Sequence, residues 1–165
     1  IISGKNPDIA IRCLLELPSY FYLTIIGDGP MLAEMKALVS DKELEKRVTF
    51  LGSVPNSEVR TSLERSDLFV GYSEYQEFPK TYIEAQAAGL PIVVNRMATN
   101  VPEIVDSCCL VEPTPSAFAH EILAIVSSSE SYENHSNRSL HFYNTNYSAG
   151  LELKKLEDLY AKLFD

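Results

Sequence analysis

The sequence predicts an α/β fold: a Rossmann-like parallel sheet with helices on both faces. Short apolar runs alternate along the chain with segments in which apolar residues recur at helical spacing, and this alternation indicates parallel strands joined by helices. The runs are continuously apolar, which is typical of strands buried on both faces. The chain has 165 residues and 45% apolar content, enough for one domain with a substantial core. We therefore expect a single domain over residues 1–165.

The first third of the chain predicts a helix, a strand and a second helix. KNPDIAIRCLLEL has Asn6 as a candidate N-cap, Pro7 at the first helical position and apolar residues along one helix face. FYLTIIG follows as a β-rich run that ends at Gly27, and PMLAEMKALVS returns to helical spacing. A strand, a glycine-rich turn and a helix in this order form one unit of the predicted fold.

The same unit repeats towards the carboxyl end. Strands are predicted at VTFLG, LFVGYS, IVVN and CCLVEP, and helices at Ser57 to Arg65, Thr81 to Ala88 and Pro102 to Val105. From about residue 116 the pattern predicts helices without intervening strands. One covers Ser116 to Val126 and another the closing LELKKLEDLYAKLF, with a polar, weakly periodic stretch from Ser127 to Asn146 between them.

Charge and apolar content argue against two broad classes of protein. The 14 basic and 23 acidic residues give a net charge of −9, which argues against nucleic-acid binding through a broad basic face. No apolar run reaches the roughly 20 residues of a membrane span, and we expect a cytoplasmic protein. The sequence starts at Ile1 without a methionine, so we expect a piece of a longer protein. Any anionic ligand requires a local group of favourable charges.

Cysteine and histidine residues predict neither a disulfide framework nor a metal site. The count of three cysteines is odd, and the adjacent pair suits neither common disulfide nor zinc spacing, so we expect buried, reduced thiols at Cys13, Cys108 and Cys109. The histidines lie in the polar final third without a carboxylate at ligand spacing, so no metal or base role is predicted for His120, His135 and His141.

Three loops are predicted to meet at the carboxyl ends of the strands, where open parallel sheets bind ligands. They are Gly27 to Pro30, Gly52 to Pro55 and Tyr72 to Lys80. Glycines such as Gly29 let the backbone approach a ligand closely. The helix that opens near Thr81 presents unpaired N–H groups and the positive end of its dipole, which suits a phosphate group.

Glu84 lies about one turn into that otherwise apolar helix, and two interpretations of it remain. A carboxylate accepts hydrogen bonds from a diol such as ribose, so Glu84 would hold the sugar of a nucleotide whose phosphate lies at the helix start. Alternatively, Glu84 is a solvated or capping first-turn acid, which the helix dipole favours.

Basic and aromatic residues around the predicted crevice also have two interpretations. Lys80 and Arg96 either offset the negative net charge locally or are ordinary exposed bases. We expect the tyrosines near the crevice to be packing aromatics rather than platforms for a sugar; they are Tyr72, Tyr75 and Tyr82.

The segments GDGP, VTFLGSVP, SDLFVGYSEYQEFPKTYIEAQAAGLPIVV and NVPEIV, in this order, resemble the carboxyl-terminal domain of family 4 (group 1) glycosyltransferases with the two-domain GT-B fold. The resemblance covers roughly Lys5 to Val111, and Phe78 to Val94 is its most specific part. It implies a domain that binds a nucleotide-sugar donor, while a separate amino-terminal domain binds most of the acceptor and supplies part of the active site.

The resemblance implies roles for individual residues. Lys5 matches the lysine that neutralises the donor diphosphate, and the backbone after Phe50, including Gly52 and Ser53, matches the part that frames the base. The loop at Phe78, Pro79 and Lys80 looks like the diphosphate clamp. Glu84 matches the second glutamate of the family's paired-glutamate motif, which holds the ribose.

One position departs from the family pattern. The two glutamates of the motif are separated by seven residues, and the first position falls on Gln76, with Glu77 one residue later. In the family this carboxylate lies beside the transferred sugar and supports positive character at the anomeric carbon. Three alternatives remain open: Gln76 does a reduced form of the task, Glu77 takes the place through a slipped loop, or the chemistry is lost.

The resemblance implies retaining transfer from a nucleotide-diphosphate sugar, most commonly a UDP-sugar, to a saccharide or other acceptor in polysaccharide biosynthesis. We expect neither metal nor other cofactor, because the helix start, Lys5 and Lys80 can screen the diphosphate. The missing domain is the expected partner and would allow peripheral association with the inner face of the membrane. Two alternatives are a noncatalytic nucleotide-sugar binding module, which Gln76 favours, and a doubly wound scaffold domain without a nucleotide site.

Overall fold

A computed structural model of the chain confirms the predicted α/β class with parallel strands and flanking helices. It describes residues 1, 4–74, 80–96, 105–148, 150–151, 153–155, 157 and 160. The helices are α1 Asp8–Cys13, α2 Leu32–Asp41, α3 Asn56–Glu64, α4 Lys80–Ala87, α5 Pro115–Ile125 and α6 Ser129–Asn146. Most of the helix predicted over residues 102–105 lies outside the described residues, as does Tyr75. Among the described residues, no helix combines the length and the apolar character that crossing a membrane requires.

Among the described residues, the strands form two groups of parallel strands. Their bounds are β1 Leu23–Ile26, β2 Val48–Gly52, β3 Phe69–Gly71, β4 Ile92–Asn95 and β5 Cys109–Val111. The first sheet has the order β1-β2 and the second the order β3-β4-β5. Within the second sheet the apolar strand IVVN is central and buried at every position, as its sequence predicts.

One hydrophobic core spans both sheets. It contains Ile25 and Val48 from the first sheet and Val93 and Val111 from the second. Helix α1 lies against α5, and their residues Ile11 and Phe118 are fully buried in this core. Side chains of α1 and α5 therefore pack in a core that contacts both sheets.

The start of α1 differs from the expectation of an Asn6 cap. The helix begins at Asp8, Pro7 takes the N-cap position, and no side chain caps the helix. Asn6 has a positive φ of 27°, and its side chain accepts from Gly4 N at 3.1 Å and donates to Glu74 Oε1 at 2.6 Å. The amide of Asn6 thus joins the loop after β3 instead of the helix end.

The polar stretch from Ser127 to Asn146, for which no helix was predicted, forms the 18-residue helix α6. Ser128 is its N-cap and accepts from Ser131 N at 3.1 Å. Ser136 and Ser139 then donate to the carbonyls of Gly89 and Leu90, each at 2.7 Å. Hydrogen bonds from serine hydroxyls therefore hold α6 against the connection that follows α4. Serines add nothing to a pattern of apolar residues, so this helix was not visible in the sequence.

Helix α4 packs against β3 through the side chain of Tyr82. Tyr82 is buried and meets Phe69 edge-on, with ring centroids 5.6 Å apart. A Cβ atom built at Gly71 would lie 2.8 Å from Tyr82 Oη and Cε1, so only glycine leaves room for the ring. The packing role expected for Tyr82 is confirmed.

We predict that Gly71→Ala destabilises the chain, because the added methyl group overlaps Tyr82 and overpacking costs about 1–3 kcal/mol. Gly150→Ala is the matched control, since a Cβ atom there meets nothing within 4 Å. Urea denaturation of both variants measures the free energy of unfolding. Equal stability of the two would show that Tyr82 does not fix the distance between α4 and β3.

Candidate functional site

The first two predicted loops meet at the carboxyl end of the β1-β2 sheet. Gly27 N donates to Gly52 O at 2.8 Å, and the φ angles of the two glycines are 125° and 69°, a region that side chains rarely adopt. A Cβ atom at Gly52 would meet nothing within 4 Å, and Ser53 is exposed. The backbone at Gly52 is therefore open to a ligand.

Gly29 is occupied by contacts within the chain. Its N–H donates to Asp28 Oδ1 at 2.7 Å, and a Cβ atom at Gly29 would overlap the backbone of Ile1. Ile1 also donates through its amino group to Asp28 O. Gly29 thus allows close approach of the Ile1 backbone, and the predicted approach to a ligand stays a prediction.

Residues 1 and 4–6 connect the first loop with the loop after β3. Ile1 lies against Asp28 and Gly29, and Gly4 O accepts from Glu74 N at 2.8 Å. Lys5 Nζ donates to Ser73 Oγ at 3.4 Å. The predicted diphosphate lysine therefore lies at the carboxyl ends of the strands, as the sequence places it.

Lys5 is half-buried, and this burial lowers the pKa of its ammonium group. Partial removal from water disfavours the charged form. An anion that approaches Nζ would offset this cost. The position is suited to electrostatic binding of a phosphate.

A buried amide that the sequence analysis did not single out fixes the loop after β3. Asn95 ends β4, and its side chain accepts from Ser73 N and donates to Ser73 O, each at 2.9 Å. Asn95 and Ser73 are 1% and 0% exposed. The only sequence signal is a polar residue at the end of the apolar strand IVVN. Asn95 thus positions the backbone of the residue to which Lys5 is bonded.

Helix α4 begins at Lys80, and its exposed face carries three predicted site residues. Lys80, Thr81 and Glu84 are exposed, whereas Tyr82, Ala85 and Gln86 are buried. Glu84 is the fifth residue of α4, beyond the first turn, which has no acidic residue. Glu84 is therefore not a first-turn acid, but its exposure agrees with the interpretation of a solvated carboxylate. The apolar residues around Glu84 in the sequence face the core, and its own carboxylate faces solvent.

Four predicted site residues lie outside the described part of the chain: Gln76, Glu77, Phe78 and Pro79. The predicted catalytic position and most of the diphosphate clamp therefore stay predictions. Arg96, the other base near the crevice, pairs with Glu112 at 3.3 Å on the surface. Its charge is already partly balanced by that carboxylate.

We predict that Asn95→Ala lowers the free energy of unfolding by about 1–3 kcal/mol, because it leaves both backbone polar groups of Ser73 without the buried side chain that pairs with them. Asn144→Ala, an exposed position on α6, is the control and should change stability by less than about 0.5 kcal/mol. Chemical denaturation measures both. If Asn95→Ala and the control have equal free energies of unfolding, the paired amide does not contribute to stability.

Comparison with curated proteins gives relatives that are longer than this chain. Over 123 residues it is 29% identical to the amylovoran biosynthesis glycosyltransferase AmsK of Erwinia amylovora, covering 71% of this chain and 30% of the relative. Over 132 residues it is 32% identical to a phosphatidylinositol N-acetylglucosaminyltransferase component of Arabidopsis thaliana, covering 77% and 29%. The chain spans about 30% of the length of these relatives.

Solved structures share the fold at low sequence identity. The Anabaena protein Alr3699/HepE, crystallised with UDP and glucose, superposes with a TM-score of 0.85 at 19% identity, covering 98% of this chain and 46% of that one. The carboxyl-terminal domain of the group 1 glycosyltransferase LpcC of Francisella tularensis gives 0.79 at 22% identity, covering 90% and 83%. The family profile described as "Glycosyl transferases group 1" matches residues 2–141. The chain therefore belongs to the group 1 glycosyltransferase family.

Proposed function

We propose that this chain is the donor-binding domain of a larger glycosyltransferase and that it binds a nucleotide-diphosphate sugar. One observation carries the proposal: Lys5, bonded to the loop after β3, the open backbone at the end of β2 and the start of α4 lie at the carboxyl ends of parallel strands. Ligands of open parallel sheets bind at this edge. The UDP and glucose held by Alr3699/HepE, a protein of the same fold, support this choice of ligand.

The described residues suit different parts of such a donor. Lys5 and the first N–H groups of α4 offer positive charge and donors for the diphosphate. Glu84, exposed one turn further along α4, offers a carboxylate to the two hydroxyls of the ribose. The open backbone at Gly52 would contact the base. UDP is the nucleotide we test first.

The chemical step is proposed to be retaining transfer of the sugar to an acceptor bound by a second domain. Its support is family membership and the motif position of Gln76 and Glu77. A noncatalytic binding module is the second candidate, because Gln76 replaces a charged carboxylate by a neutral amide. Turnover of a labelled donor by the complete protein separates the two, and comparing Gln76→Glu with Glu77→Ala then shows which of the two positions acts beside the transferred sugar.

The lengths of the relatives support the proposal of a larger protein. The chain spans about 30% of the length of AmsK and of the Arabidopsis thaliana protein.

The binding proposal is tested by thermal unfolding of the chain with UDP, GDP, ADP and inorganic phosphate. A nucleotide at a hundredfold excess over its Kd should stabilise the chain by about 2.7 kcal/mol, and inorganic phosphate should not. Absence of any nucleotide effect, in this chain and in the complete protein, would favour a scaffold domain. Transfer of a labelled sugar by the complete protein then separates an enzyme from a binding module.

We predict that Glu84→Ala weakens UDP binding by about 1.5–3 kcal/mol, the range for hydrogen bonds to a charged group, which is about a 10- to 150-fold increase in Kd. The fold should be unchanged because Glu84 is exposed. Calorimetry measures the affinity. Glu133→Ala, an exposed acid on α6, should bind as the parent does. Parent-like affinity of Glu84→Ala would refute the ribose role.

Lys5 gives the binding reaction a predicted pH dependence. A bound diphosphate favours the charged ammonium group, so the pKa of Lys5 is higher in the complex than in the free chain, where burial lowers it. The contribution of Lys5 to affinity is therefore fully present below the free-chain pKa and lost as the pH rises through the pKa of the complex.

Calorimetric titration with UDP should show full affinity near roughly pH 7 and a loss that begins above the lowered pKa of free Lys5 and continues past the ordinary lysine value of about 10.4. Lys5→Arg should hold its affinity over the whole range, because the guanidinium group stays charged. Lys36→Arg on the exposed surface of α2 should keep the parent profile. Identical profiles for Lys5→Arg and the parent would remove Lys5 from the diphosphate site.

A further inference from the structure

Three side chains of different chemical character converge on one face of the domain. Cys109, Glu121 and His135 each place a sulfur, oxygen or nitrogen ligand atom within 4.8 Å of the others. They come from β5, α5 and α6 and lie far apart in the sequence. This explains why ligand spacing along the chain gave no sign of them.

The cluster lies away from the nucleotide crevice. Cys109 is the first residue of β5 and pairs with Val93, whereas Val111 at the other end pairs with Asn95 beside the crevice. None of the residues proposed to bind the donor belongs to the cluster. A ligand held here would therefore be separate from the proposed donor site.

The side chains around the cluster favour an ion that binds through sulfur and nitrogen. His135 Nδ1 is 2.7 Å from the carbonyl of Ser131, and a carbonyl only accepts, so in the neutral ring Nδ1 carries the proton and Nε2 has the lone pair for a metal. Metal-binding histidines are oriented by this kind of bond. Arg138 Nη2 donates to Cys109 Sγ at 3.3 Å, an interaction that also stabilises a metal-bound thiolate.

We propose that Cys109, Glu121 and His135 form a binding site for a divalent ion of the Zn²⁺ type. Thiolate, imidazole and carboxylate are the ligands that Zn²⁺ takes in proteins. Ca²⁺ and Mg²⁺ require oxygen ligands, and the cluster offers only one carboxylate. The ion has three protein ligands and one position for water.

Binding requires a small closure of the side chains and the release of one proton. Ligand atoms around tetrahedral Zn²⁺ lie roughly 3.3–3.8 Å apart at the usual bond lengths, so separations of up to 4.8 Å would have to close to that range. The Cys109 thiol loses its proton to solvent as the sulfur–metal bond forms, and no electron is transferred. The bound ion then joins β5, α5 and α6 at one point.

Metal titrations of the purified chain, stripped with a chelator beforehand, test the site. Calorimetry with Zn²⁺ should give about one bound ion per chain, and Co²⁺ should produce the near-ultraviolet absorption of cobalt–thiolate ligation. Mg²⁺ should not bind. The result of the UDP experiment does not depend on Zn²⁺ binding, so the metal site and the donor site are tested separately.

Variants with neighbouring residues as controls assign the ligands. Cys109→Ser and His135→Gln should weaken Zn²⁺ binding by more than the roughly 10- to 100-fold loss typical of outer-shell partners, and Cys109→Ser should abolish the cobalt–thiolate absorption. Cys108→Ser and His141→Gln, adjacent in the sequence or on the same helix, should keep both signals. Circular dichroism confirms that each variant is folded.

The proposal is overturned by either of two results. In the first, the parent chain binds Zn²⁺ no more tightly than a Cys109→Ser/His135→Gln double variant. In the second, the Co²⁺ absorption persists in Cys109→Ser and disappears in Cys108→Ser. In the first case the three side chains form a hydrogen-bonded cluster without an ion. In the second the thiolate ligand is the neighbouring cysteine.

Discussion

The geometry of the crevice depends on one hydrophobic core that two separate sheets share. Among the described residues, backbone pairing holds β1 to β2 and β3 to β4 and β5, and apolar side chains around Ile11 and Phe118 pack against both sheets. Such packing tolerates no large change of volume. It sets how far the glycine loops of the first sheet lie from the start of α4. Replacing core residues far from the crevice would therefore alter the site as well as the stability.

The core brings the loop after β3 and helix α4 close together, and polar groups at the strand ends then fix their positions. Asn95 pairs with both backbone groups of buried Ser73, and Ser73 in turn accepts from Lys5. On α4, buried Gln86 donates to Ser107 Oγ at 2.7 Å, while its Oε1 has no partner among the described residues. These buried amides are costly to leave unpaired, so their bonds hold the loop and helix that would meet a donor. The exposed side chains of Lys80, Thr81 and Glu84 can then change their contacts without disturbing the fold.

The sequence predicted the parts of the fold that depend on local pattern. IVVN is a strand because it is continuously apolar, and the glycine turns fall where φ is positive. Features that depend on distant contacts were not predictable. Helix α6 is held by serine bonds to Gly89 and Leu90, and Asn6 bonds to Glu74, 68 residues away. The Asn95 pairing and the Cys109 cluster likewise join residues that no sequence spacing relates. Of the predicted site, the structure places Lys5, the glycine loops and α4, whereas Gln76 to Pro79 stay predictions.

Net charge and local charge act on different length scales in this chain, and the difference bears on donor binding. A net charge of −9 repels an anionic ligand at long range, but at physiological salt exposed charges are screened beyond about 8 Å. Arg96 is paired with Glu112 on the surface, and Asp28 directs its carboxylate to Gly29 N. In the proposed donor site, Lys5, Lys80 and the amino end of α4 would supply the positive charge near a diphosphate. Since Lys5 is half-buried and its charged form is disfavoured, a diphosphate that contacts it gains more than one that contacts a fully solvated lysine. The specificity for a diphosphate over a single phosphate would thus arise from occupying both the Lys5 position and the helix start at once.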